Sequence, residues 1–149
     1  MTEHGTIELM APAGNFESLQ AAIENGADSV YFGVDQLNMR ARASINFTIE
    51  DLPEIVARCA AKKVRTYLTL NTIIYDHDLS IIKTLLDAAK SAGITAVIVM
   101  DQAVIAYARQ IGMEIHISTQ INITNIETVK FYAMFADTMV MSRELSLRQ

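Results

Sequence analysis

The chain has 149 residues, 51% hydrophobic and 19% charged, with Lys+Arg 12 against Asp+Glu 17 and a single cysteine, Cys59. That length suits one domain over 1–149 with a real core, and the apolar fraction excludes a disordered chain. One cysteine excludes a disulfide framework or a four-cysteine metal site built by this chain alone, and the net charge of -5 argues against general nucleic-acid binding.

Short runs of β-branched and aliphatic residues recur along the chain: Ile7–Ala11, Ser29–Gly33, Arg65–Leu70, Ala96–Met100, Glu114–Ser118 and Thr138–Met141. Helix-period stripes lie between them, led by Phe16, Leu52, Leu79, Val104 and Ile126. Asn15, Thr48, Asp76 or Asp78, Asp101 and Asn125 stand where helix starts need a cap, and Gly26, Gly93 and Gly112 stand at helix ends. The pattern predicts βα five times, then a sixth strand, and such alternation means a parallel sheet. No apolar run approaches the ~18 residues of a membrane helix, and Met1–Gly5 begins no secretory signal. A cytoplasmic protein with no membrane contact is expected.

A doubly wound sheet and a (β/α)8 barrel of the TIM type both fit that alternation. A doubly wound sheet lies under helices on both faces, so both should be apolar. Here one face of the odd strands is polar, carrying Glu8, then Arg65, Tyr67 and Thr69, then His116 and Ser118. A barrel lumen is filled in layers from alternate strands, which would let Glu8, Arg65 or Tyr67, and His116 compensate one another. The expected fold is therefore a barrel segment of about six parallel strands, an incomplete (β/α)8 barrel. Its first and sixth strands are edges, and exposed edges invite pairing, so a homodimer or higher self-association is expected.

The loops entering the strands are plain turns, whereas those leaving them hold the polar residues. Asn15 follows the first strand, and an insert from Val34 to Thr48 carries Asn38, Arg40, Arg42 and Asn46. Asn71 follows the third strand, Asp101 the fourth, Ser118-Thr119-Gln120 the fifth and Ser142-Arg143-Glu144 the sixth. In barrels this carboxyl-end face holds the active site.

Glu8 to Asn15, Gly26 to Gly33, Asn38 to Ala43, His116 to Gln120 and Ser142 to Leu145 together resemble the N-terminal part of the collagenase-like peptidases, the U-family 32 peptidases. The resemblance covers essentially the whole chain. It implies a barrel catalytic domain and a protease acting on polypeptide. It also implies a cysteine-rich signature further along. Some relatives hold an iron–sulfur cluster on those cysteines and hydroxylate RNA bases or a quinone precursor without oxygen. Cys59 does not match them, so no cofactor is expected in this segment, while a full-length relative could carry the cluster. A non-catalytic scaffold that binds a partner chain is the third reading.

Each candidate has a plainer alternative. His116 and Glu144 are the expected catalytic acid–base groups; His116 could instead be a lumen histidine bonded to Glu8 or Tyr67. Asn15, Asn38, Asn71 and Asp101 are expected to bind substrate, with Arg40 and Arg42 forking a carboxylate or RNA phosphate, or merely bracing their loop. Ser118, Thr119 and Gln120 read as a hydrogen-bonding wall rather than nucleophiles, since no Gly-x-Ser-x-Gly elbow surrounds them. Arg143 joins the substrate-binding set. Backbone N–H groups of Pro12-Ala13-Gly14-Asn15 could face an anion, or the segment is a tight turn. Asp76-His77-Asp78 reads as capping and Cys59 as core packing, and no metal site is expected.

Overall fold

The structure, a computed structural model, describes residues 7–34 and 47–148. Its elements run β1 (Met10–Pro12), α1 (Phe16–Glu24), β2 (Ser29–Phe32), α2 (Leu52–Ala60), β3 (Arg65–Leu70) and α3 (Leu79–Ala92). They continue with β4 (Ala96–Val99), α4 (Gln102–Gln110), β5 (Glu114–Ile117), α5 (Ile126–Ala133) and β6 (Thr138–Met139). All the strand pairs are parallel and the order is β1-β2-β3-β4-β5-β6. A doubly wound sheet reverses its order at a switch point. Strictly sequential order instead curls the sheet one way, into an open barrel of six strands.

Side-chain alternation divides the strands between two environments. On β3, Leu68 and Leu70 point out to the helices, where they meet Leu52, Ile55, Leu85 and Leu86 in the main core. Tyr67 points the other way, into the lumen, and packs with Ala96, Ile98 and the half-buried Tyr31. Phe47 closes the far end of the Val34–Thr48 insert, its ring edge-on to Phe16 at 5.1 Å and to Phe32 at 5.5 Å. Cys59 lies fully buried in this outer core, as expected, and burial pushes its thiol up to about 11.

Helix starts follow the expected caps. Asn15 Oδ1 accepts from Ser18 N at 2.7 Å, Asp101 Oδ1 from Ala103 N at 2.8 Å, and Asn125 Oδ1 from Thr128 N at 2.9 Å. Ahead of α2 it is the Asp51 carboxylate, not the expected Thr48, that accepts, from Thr48 N at 2.7 Å; Asp78 Oδ2 accepts from Tyr75 N at 3.0 Å. Gly93 ends α3 with φ +88, a left-handed conformation that costs a residue with a Cβ but not glycine.

The strand limits differ from expectation at both edges, for physical reasons. β1 begins at Met10: the Leu9 carbonyl accepts from Ser29 N at 3.2 Å, but the Leu9 N–H is turned to the Asp28 carboxylate at 2.7 Å. Asp137 makes the matching contact four strands further on, accepting from Ile115 N at 2.8 Å. Both aspartates sit in an Ala-Asp-Ser/Thr step immediately before a strand, at Ala27-Asp28-Ser29 and Ala136-Asp137-Thr138. At the other end, β6 stops at Met139 because Met141 leaves to bridge Ile123.

Candidate active face and lumen network

The polar lumen side chains form one connected network. Arg65 Nη1 donates to Glu8 Oε2 at 3.0 Å and Nη2 to Glu114 Oε1 at 3.2 Å. Tyr67 donates its hydroxyl proton to Glu8 Oε1 at 2.6 Å. His116 Nε2 lies 2.7 Å from Glu114 Oε1, and its ring sits 4.7 Å from that of Tyr67. His116 is thus a buried lumen residue, with Glu114 as its carboxylate and Tyr67 as its ring neighbour. Glu114 is the member the sequence reading did not single out. Its place at the same strand face as His116, two residues on, was the available signal.

Burial alone would raise the pKa of Glu8, but the Ser29 and Tyr67 hydroxyls and the charges of Arg65 and His116 outweigh it and hold the carboxyl below its ordinary range. Ser29 Oγ reaches no partner within normal hydrogen-bond geometry, so Tyr67 carries more of this effect than Ser29. Burial and the Glu8 carboxylate push the Tyr67 phenol well above its usual value. A proton shared along Tyr67–Glu8 therefore stays on tyrosine.

At the carboxyl ends of the strands the groups are fewer and smaller. Asn71, just past β3, donates from Nδ2 to Ser118 Oγ at 3.4 Å, just past β5. Ser118 Oγ also accepts from Gln120 N at 3.3 Å and so caps the turn Thr119–Ile121. Ser142, buried after β6, hydrogen-bonds the Glu144 carboxylate. That hydroxyl lowers the pKa of the exposed Glu144, which keeps it ionised. Arg143 is exposed beside it.

The structure brings Asn71, Ser118 and Gln120 together and sets Arg143 and Glu144 at the end of β6. Asn15 and Asp101 spend their side-chain oxygens on helix caps. Asn38, Arg40 and Arg42 lie outside the described residues. The Ala13–Asn15 turn presents no free anion cradle: Ala13 N donates to Tyr31 O, and Gly14 N and Asn15 N both donate to Ser18 Oγ. His116 Nε2 is engaged by Glu114 rather than by Ser118. Among the described residues no group of three or more His, Cys, Asp or Glu side chains could hold a metal ion. Asp76-His77-Asp78 is a capping turn with His77 Nε2 3.5 Å from Asp78 Oδ1. Among the described residues no helix is long and apolar enough to cross a membrane.

A sequentially ordered parallel barrel with a polar carboxyl-end face defines the class of TIM-type barrels, and known proteins bear this out. Residues 14–149 match the family described as Peptidase family U32, and the chain belongs to it. It is 54% identical over 142 residues to a protein named collagenase from Porphyromonas gingivalis, covering 95% of this chain and 34% of that one. It is 34% identical over 142 residues to tRNA hydroxylation protein P1 of Bacillus subtilis, covering 93% of this chain and 33% of that one. The chain thus spans about a third of the length of these relatives. Among solved structures, the U32 peptidase Mk0906 superposes with a TM-score of 0.72 at 12% identity, over 95% of this chain and 61% of that one, which shows the shared fold.

Proposed function

We propose that the chain forms the substrate-binding front of a U32-family enzyme acting on polypeptide, with Asn71, Ser118, Thr119, Gln120 and Arg143 contacting substrate and Glu144 as its proton acceptor. The observation that supports it is the 54% identity to the collagenase-named relative, well above the 34% to the tRNA hydroxylation protein. Asn38, Arg40 and Arg42 are proposed as further substrate contacts, whereas Asn15 and Asp101 hold helix starts rather than substrate. His116 acts from the lumen, through Glu114 and Tyr67, as a positioning residue. We place the protein in the cytoplasm, where a lone thiol stays reduced.

The test is a hybrid in which this chain replaces the matching third of the P. gingivalis protein. Gelatin digestion products are read by mass spectrometry. Discrete cleavage is expected, with turnover reduced ~100-fold by Glu144→Gln at little change in KM. Unaltered turnover in that variant would remove Glu144 from the chemistry.

The second reading, oxygen-independent hydroxylation of RNA bases, rests on the relatives named for tRNA hydroxylation. The residues described here do not fit an iron–sulfur cluster: Cys59 is buried in the outer core, on the helix side of the sheet. Cluster ligands would have to come from elsewhere. RNA recovered with one added oxygen per modified base, and intact gelatin, would favour this reading over the first.

A further inference from the structure

On the outer layer, neighbouring helices pack side by side from α1 through α4. Between α4 and α5 there is instead a groove of about 370 Å³, within the size range of small-molecule sites. Gln102, Ile105 and Arg109 line it from one face of α4, at helical spacing. Phe131 and Tyr132 of α5, with Phe135 just past it, form the opposite wall. Ala106, exposed on the same face of α4, brings only a methyl group, which leaves the space between the walls unfilled.

Two features select what this groove can hold. The first is aromatic: Phe131 stands edge-on to Tyr132 at 5.2 Å and to Phe135 at 5.4 Å, yet remains 52% exposed. A flat ring laid against it would remove that apolar area from water. The second is charge. The Arg109 guanidinium lies 5.5 Å over the Phe135 ring and makes no hydrogen bond or ion pair among the described residues. Arg58 and Arg65, by contrast, each pair with glutamate. None of the lining residues is acidic, so nothing in the groove answers the Arg109 charge. A cation placed there would be repelled, which excludes an aromatic cage for ammonium groups. A carboxylate would accept two parallel N–H bonds from the guanidinium. Single-stranded nucleic acid needs cations all along its backbone, and the lining residues supply only Arg109.

We propose that the α4–α5 groove is a binding site for a small aromatic carboxylate, its ring against Phe131 and Phe135 and its carboxylate on Arg109. The site lies on the helix side of the sheet, apart from both the active face and the lumen network. A molecule bound there bridges two helices, and so ties α5, which has no fully buried residue, to α4.

The test titrates the chain with naphthoate and, separately, with naphthylmethanol, which has the same rings and no charge. Amide NMR shifts report where each one binds and how tightly. Naphthoate is expected to shift residues of α4 and α5, to raise Tm, and to bind ~tenfold or more tighter than the alcohol. Arg109→Gln should reduce naphthoate to the affinity of the alcohol and leave the alcohol itself unchanged. Phe131→Ala should weaken both. Both side chains are exposed, so circular dichroism of each variant should match the parent. Equal affinity for acid and alcohol in the parent chain would overturn the proposal, because the arginine would then select nothing. Naphthoate shifts centred elsewhere in the chain, or a preference for the acid that survives Arg109→Gln, would overturn it as well.

Discussion

Tyr67 and Glu8 are held in opposite protonation states by one short hydrogen bond, and each makes stability depend on pH in its own direction. Glu8 has its pKa lowered by folding, so its contribution is full above its ordinary value of 4.5 and is lost as pH falls through the folded value. Tyr67 has its pKa raised, so its contribution is full below its ordinary value of 10.0 and is lost as pH rises beyond it. Urea midpoints measured across pH should therefore fall at both ends. Tyr67→Phe should flatten both limbs and cost about 1.5–3 kcal/mol at neutral pH, the usual worth of a hydrogen bond to a charged acceptor. Arg65→Met should cost about 1 kcal/mol, because its ion pairs are partly exposed and solvent screens them. If Arg65→Met left the acid limb and the midpoint untouched, the network would be a surface ornament rather than a brace.

The elements themselves were largely legible, because the two periods that define them are written without interruption. Leu68 and Leu70 alternate with Tyr67 and Thr69, and Ile82, Leu85, Leu86 and Ala89 repeat at helical spacing. The polar face of the odd strands was legible too, and it decided for a barrel. What could not be read was where the ladders end, since Asp28 and Asp137 take over the backbone bonds at those points from outside the strands. Glu114 was legible only as a neighbour of His116 on one strand face; its bond to Arg65, 49 residues earlier, was not. At the carboxyl ends, side chains that looked free for substrate proved to be divided: Asn71 joins Ser118, while Asn15 and Asp101 serve their own helices. A prediction belongs at this scale. Gly93→Ala should cost about 1 kcal/mol through backbone strain at φ +88, since the nearest neighbour, Val56 Cγ1 at 3.6 Å, leaves room for the methyl group. A thermal melt checks it, and an unchanged Tm would mean that the α3 end relaxes into another turn.

Across the whole molecule, every strand pairs only with the strands just before and just after it in the chain, and burial is not evenly shared. β3 and β4 are almost entirely buried, whereas α5 has no fully buried residue and β6 is two residues long. Such a ladder behaves like a row of coupled units rather than a single switch: it can be assembled rung by rung as the polypeptide emerges, and it loosens from the weakest rung inward. Amide hydrogen exchange should show this directly as a slope, with β6 and α5 exchanging first, β5 next, and β3 and β4 last. The seam where the ring is open would then also be where the molecule is softest, so its edge strand is the one freest to change its shape.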